Sequence, residues 1–160
     1  MAKPSTAIAI RVLAGLCYMI AAIILLLTHQ TVRAQSLTII ITSLDWDGLW
    51  YCLIVYFIGC FYNFLVIFLP AGSPLWKTVI AIDVILNIAV GASIGVGWEI
   101  YTPMKRGYLV ARWYPICGVV PYFCSKLLGS LISATFGFTF SISLLMYTLH
   151  VIVDPFLIQK

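Results

Sequence analysis

Residues 75–97 read LWKTVIAIDVILNIAVGASIGVG, an apolar run with one carboxylate, Asp83, inside it. About 20 apolar residues are what an α-helix needs to cross the hydrocarbon of a bilayer. An aspartate inside such a helix costs on the order of 2.5–3.5 kcal/mol on insertion scales, so it needs a partner, a proton or water. The run therefore sets two conditions at once. It requires a membrane, and it requires the neighbouring segments to answer the charge of Asp83.

Composition meets the first condition. Of 160 residues, 63% are hydrophobic and 9% charged, against roughly 25% charged in soluble domains. So little charge cannot cover a water-facing surface. The net charge of +4 is spread along the chain, without a basic run of the kind that binds nucleic acid. This length predicts four helices with short loops and no added catalytic domain.

Apolar segments at about 7–27, 49–69, 75–97 and 122–153 predict an all-α membrane protein, a bundle of four transmembrane helices, with tails at 1–6 and 154–160. The first segment begins MAKPSTAIAIRVL. With only Lys3 as a charged lead and Arg11 inside a long apolar run, it reads as a membrane helix and not as a cleavable signal. The second segment stops at Pro70-Ala71-Gly72-Ser73-Pro74, a helix-breaking turn that makes the second and third helices a tight hairpin. The fourth has an interfacial first turn around Ser125 and Lys126 and stops at Asp154-Pro155. Continuous apolarity is unlike the roughly 10-residue alternating strands of a membrane β-barrel. Between the first two helices, the β-branched LTIIIT at 37–42 fits a short strand or an interfacial segment. Residues 98–121 read as the longest and most polar loop, with Glu99, Lys105, Arg106 and Arg112 among Trp98, Tyr101, Tyr108, Trp113 and Tyr114. Such aromatics belong to the belt at a membrane–water interface.

Four spans place both termini on one side, together with Lys3, Lys77 and Lys160; the other side holds Arg33, Lys105, Arg106, Arg112 and Lys126. Counting positive charges alone would put the termini outside. The cysteines point the other way. Cys17, Cys52 and Cys60 fall within helices as small apolar residues. Cys117 and Cys124 lie in RWYPICGVVPYFC, where Pro115, Gly118 and Pro121 let the loop fold back and close a disulfide. Loop disulfides persist on an oxidising side, so a bridged pair makes this loop extracytoplasmic and the termini cytosolic. With no second pair or nearby His, zinc is a poor alternative, and the spacing is not that of a C-x-x-C redox site.

The second condition is met by Arg11. Parallel first and third helices bring Arg11 and Asp83 to depths of roughly 6 and 12 Å, a gap that an arginine side chain covers. The expected result is a buried, charge-assisted bridge that fixes helix register. In the alternative, Arg11 snorkels to the headgroups, and Asp83 turns to Asn63 or Asn87 or holds a proton. A proton relay lacks further acidic or His groups. Small residues supply packing faces: Gly91 and Gly95 in the third helix, and Ser133, Gly137 and Ser141 at four-residue steps in the fourth. This spacing lets helices approach closely, within a chain or between chains. His29 and His150 are isolated, and no phosphate loop, paired acidic motif or Ser–His arrangement appears. No cofactor and no metal site is expected.

The stretch ARWYPICGVVPYFCSKLLGSLISATFGF closely resembles the end of the plant CASP-like proteins (Casparian strip membrane domain protein-like). The carrying residues are Trp113, Cys117, Phe123, Cys124, Gly129-Ser130-Leu131-Ile132 and Ser133. Arg11, Asp83 and Tyr62-Asn63 match further family positions, so the resemblance covers nearly the whole chain. It implies a four-helix, MARVEL-related protein of the plasma membrane, both termini cytosolic, that forms homo-oligomers and hetero-oligomers with related members. The Casparian strip proteins proper build membrane scaffolds and carry a first-loop signature of the form ESLPFFTQF. Here that region reads LTIIITSLDWDGLW, and the family's Gly-Asn before the Trp is Gly107-Tyr108. The departure favours the broader CASP-like group. The function expected is a non-enzymatic membrane scaffold that recruits other proteins. The alternative is a small channel or transporter using Asp83 and Arg11.

Overall fold

A computed structural model describes residues 5–34, 37–42, 45–69, 75–107 and 114–158. Its helices are α1 (Ser5–Leu26), α2 (Asp47–Ile67), α3 (Trp76–Arg106) and α4 (Pro121–Ile158), with strands β1 (His29–Ala34) and β2 (Leu37–Thr42) between α1 and α2. All four helices are long and apolar enough to span a membrane. The chain is an all-α bundle placed in a lipid bilayer.

Neighbour contacts fix the arrangement. α1 packs on α2 and α4, and α3 also packs on α2 and α4. α1 and α3 therefore face each other across the diagonal. The contacting residues run antiparallel around the ring. Gly15 lies against Asn63 and Gly59 against Tyr18, Tyr62 reaches Val79 while Cys52 reaches Ser93, and Ser130 and Ser133 reach Ala21 and Cys17. The bundle is thus up-down-up-down. One end carries the starts of α1 and α3; the other carries the β-hairpin and a short 3-10 turn, Ile116–Gly118.

The β-branched residues at 37–42 do form a strand. β2 pairs antiparallel with β1, His29 opposite Thr42 and Ala34 opposite Leu37. The hairpin is tied down at α4: the backbone N–H of Phe123 donates to Gln30 Oε1 at 2.9 Å. That N–H is one of the first-turn donors that no helical carbonyl can reach. Pro121 opens the same helix, where a missing N–H costs nothing.

Helix limits differ from the sequence expectation in two places. Residues 98–106, expected in a loop, continue α3. Gly97, Tyr101 and Met104 carry its buried face onward, and packing outweighs the local polarity. Pro103 removes one N–H donor from the last turns, and Gly107, at φ 74°, ends the helix with its N–H on the Pro103 carbonyl at 2.8 Å. This left-handed terminus suits glycine. At its far end, α4 passes through Asp154-Pro155 to Ile158, since proline removes one helical hydrogen bond without requiring the helix to stop. Lys3, the turn at 70–74, Tyr108, Arg112, Trp113 and Lys160 lie outside the described residues.

The core is largest toward the hairpin end, where Leu25, Leu49, Tyr56, Phe123, Leu127 and Leu131 are buried together. A smaller cluster of Ala14, Tyr18, Val55 and Val90 leads toward the terminal end.

Candidate functional site: an ion pair across the bundle

Arg11 lies six residues into α1 and Asp83 seven into α3. At 1.5 Å per residue the two sit about 9 and 10 Å from the starts of their helices, at almost the same depth. The guanidinium grips the carboxylate with both arms: Nη2 donates to Oδ2 at 2.7 Å and Nη1 to Oδ1 at 3.2 Å. The side chains are 7% and 11% exposed, so the pair sits inside the bundle and spans its diagonal. A two-point, charge-assisted geometry is the strong form of such a bond.

The amides do not touch the carboxylate. Asn63 Nδ2 donates to its own helix at the Gly59 carbonyl, and Asn87 Nδ2 donates to the backbone carbonyl of Asp83, each at 2.8 Å. Both fold back one turn, the commonplace fate of a short polar side chain in a helix. Beside the pair is a cleft of about 10 Å³, lined in part by Tyr18, Tyr62, Asn63, Asn87 and Ser141, room for one water at most. Asn87 Oδ1 is buried there without a hydrogen-bond partner among the described residues. Among the described residues that line the cleft, Asp83 is the one carboxylate and Arg11 the one cation. Among the described residues, no three His, Cys, Asp or Glu side chains gather as metal ligands.

The small residues of α4 meet α1. Ser133 Oγ donates to the Cys17 carbonyl at 2.9 Å, Gly137 admits the Tyr18 ring, and Ser141 Oγ shares a 3.0 Å hydrogen bond with the Tyr18 hydroxyl. Ser130, not singled out as a packing residue, belongs to the same seam and donates to the Ala21 carbonyl at 2.8 Å. In α3 the two glycines part company. Gly91 lies against the Phe138 ring, whereas a Cβ on Gly95 would meet nothing within 4 Å. The buried direction of α3 runs through Val90, Ser93 and Gly97. Each residue turns about 100°, which carries Gly95 away from that direction. Gly95 thus turns its open side away from the described residues.

Cys117 and Cys124 form a disulfide, Cα–Cα 5.7 Å, that ties the 3-10 turn to the first turns of α4. Cys17, Cys52 and Cys60 are free thiols; Cys52 donates to the Ser93 carbonyl at 3.1 Å. Ahead of α2, the backbone N–H and hydroxyl of Thr42 donate to Asp45 and hold its carboxyl below the usual carboxylate range. Sequence reading missed Tyr18 and Gln30, and took Tyr62 only as a family position without its bond to the Val79 carbonyl. For Tyr18 the signal was present, since a tyrosine deep in an apolar span requires a partner for its hydroxyl.

Four antiparallel apolar helices, a charge pair across their diagonal and a disulfide at one end define a four-span membrane protein. A family model for the Casparian strip membrane protein domain matches residues 1–140, and the chain belongs to that family. Among curated relatives, CASP-like protein 1C1 of Arabidopsis thaliana is 36% identical over 143 residues, 88% of this chain and 87% of its own length. CASP-like protein 1C2 of Arabidopsis thaliana is 34% identical over 149 residues, covering 92% and 90%. CASP-like protein 1C1 of Vitis vinifera is 29% identical over 135 residues, covering 84% and 85%. No solved structure matches the chain at a significant level.

Proposed function

We propose that this chain is a non-enzymatic scaffold of the plasma membrane, which forms homo-oligomers and hetero-oligomers with related family members and recruits other proteins to a membrane domain. The observation that carries this reading is the use made of the one intramembrane carboxylate. Asp83 is closed by Arg11 in a two-point bond, which holds α1 to α3 across the bundle and leaves neither charge free to move an ion. The outward surface is apolar, with Phe61, Phe68, Ile85 and Ile88 among its most exposed side chains. Such a surface suits contact with lipid or with other helices. Family membership points the same way.

In this reading both termini are cytosolic and the disulfide end is extracytoplasmic, since the Cys117–Cys124 bridge persists on an oxidising side. Crosslinking in the native membrane, followed by recovery of neighbours, tests the proposal. Copies of this chain and a reproducible set of other membrane proteins are expected; recovery of the chain by itself would overturn it. The channel alternative predicts ion flux in proteoliposomes that responds to Asp83→Asn.

A further inference from the structure

The nine residues by which α3 outruns its apolar segment create a second feature. From Trp76 to Trp98 the helix rises about 33 Å, close to the thickness of the hydrocarbon core of roughly 30 Å. Trp98 therefore falls near the membrane surface at the hairpin end, and the residues after it rise through the headgroup layer, about 12 Å to Arg106. A groove of about 380 Å³ opens there, lined by Trp98, Tyr101, Thr102, Lys105 and Arg106. These follow i, i+3, i+4, i+7 and i+8 spacing, which gathers them on one side of the helix. The aromatic floor is braced: Trp98 meets Tyr101 edge to face at 5.7 Å between centroids. Lys105 Nζ lies over the Tyr101 ring at 5.7 Å.

Two cations in the last turn of a helix complement its negative end, but that role needs neither a groove nor an aromatic floor. Among the described residues neither Lys105 nor Arg106 forms a salt bridge. Glu99, the nearest carboxylate in sequence, does not line the groove. The combination matches an amphiphile: an anion for the two cations, and an apolar stem descending past Trp98 into the bilayer.

We propose that this groove binds the phosphate-bearing headgroup of an anionic phospholipid in the leaflet at the hairpin end. Arg106 and Lys105 pair with the phosphate, and Trp98 packs on the glycerol and upper acyl chain. The groove's place beside the apolar span favours a lipid over a soluble polyanion, because a lipid holds its phosphate within reach of the long Lys105 and Arg106 side chains while its stem lies along Trp98.

The test uses the full chain in micelles mixed with phosphatidylcholine and phosphatidylglycerol, with bound lipid read by native mass spectrometry. Preferential retention of phosphatidylglycerol is expected, weakening about fivefold for each cation removed in Lys105→Gln and Arg106→Gln. Lys105→Arg should retain it. Lys126→Gln is the matched control. Lys126 sits over Tyr122, 5.3 Å from the ring centroid, at the same end of the bundle but outside the groove, so its loss should leave the preference intact. Several results would overturn the proposal: no preference for the anionic lipid, an equal loss in Lys126→Gln, or displacement by inorganic phosphate to the same extent as by added phosphatidylglycerol. So would binding of a soluble polyuronate through Lys105 and Arg106 without lipid selectivity. Both substituted side chains are exposed, so an unchanged thermal midpoint certifies the fold of each variant. Crosslinking tests the scaffold reading independently, because lipid selectivity requires no protein partner.

Discussion

Toward the end of the bundle where α1 and α3 begin, helices are joined by polar bonds: Arg11 to Asp83, Tyr18 to Ser141, and Tyr62 to the Val79 carbonyl. Toward the hairpin end they are joined mainly by apolar bulk, with Leu25, Leu49, Tyr56, Phe123 and Leu127 buried together, and there the Cys117–Cys124 disulfide ties the 3-10 turn to α4. In a bilayer, lipid tails are as apolar as leucine, so burial alone gives no drive for helices to associate. The hairpin end therefore depends on close packing and a covalent tie. The terminal end depends on partners that must find one another, and only one register satisfies Arg11 and Asp83 together. The first arrangement supplies contact; the second supplies uniqueness.

The sharpest way to break this contrast is to remove one member of the pair. Arg11→Leu leaves Asp83 buried and unpaired, a loss expected to cost about 3–5 kcal/mol. It should be read as a fall in stability during detergent unfolding. Leucine at both positions should recover most of that loss, because the penalty belongs to the stranded charge. The reciprocal swap, Arg11→Asp with Asp83→Arg, should recover assembly because the two depths are nearly equal. If neither double variant improves on the singles, the pair is not what orders the terminal end.

The covalent tie comes next. Opening a loop as short as that between Cys117 and Cys124 should cost about 2.5 kcal/mol by the chain-entropy relation. Cys117→Ser should loosen hydrogen exchange in the 3-10 turn, the first turns of α4 and β1, whose Gln30 accepts from Phe123. Exchange around Arg11 and Asp83 should stay as it was. Two freely alkylated thiols at 117 and 124 in the native protein would remove the tie, and the argument for an oxidising side with it.

Glycines give a finer comparison. A Cβ at Gly137 would sit 2.8 and 2.9 Å from two atoms of the Tyr18 ring and 3.1 Å from Cys17 Cβ. The ring is 2% exposed and held through its hydroxyl by Ser141, so it has nowhere to withdraw. Gly137→Ala should cost about 1–3 kcal/mol. Gly95→Ala, in open space, should leave the isolated chain's thermal midpoint no lower and raise it slightly, since alanine is the better helix former. A large effect that appears only in the assembled protein would locate a contact between chains at Gly95.

The four helices were legible because length and apolarity suffice to name a membrane span. The pairing of Arg11 with Asp83 was a reasonable expectation because buried charges leave few choices and helical rise fixes depth. The extension of α3 was hidden. Trp98, Glu99, Lys105 and Arg106 have the composition of a loop, and only the recurrence of Gly97, Tyr101 and Met104 on the packed side marks it as helix. Gly91 and Gly95 share a spacing but not an environment, since spacing cannot reveal which way a helix faces. The Gln30 contact with Phe123 joins residues 93 apart, and no local pattern announces it.

The smallest effect separates the two kinds of cohesion most cleanly. Ser130 and Ser133 each donate to a carbonyl of α1, at Ala21 and Cys17. A side-chain hydrogen bond between membrane helices averages about 0.6 kcal/mol, so Ser133→Ala and Ser130→Ala should each lower stability by about that much, with alanine preserving the close approach. Their bonds lie one turn apart on the same pair of helices. If the seam is held by independent bonds, the double variant will show the sum. If close packing of α1 on α4 is what holds it, both singles and the double will be nearly silent, and Gly137→Ala will remain the costly change. A double-mutant cycle on detergent unfolding decides between these outcomes. It thereby decides whether the polar character of the terminal end continues along the α1–α4 seam or gives way to packing once the charged pair is passed.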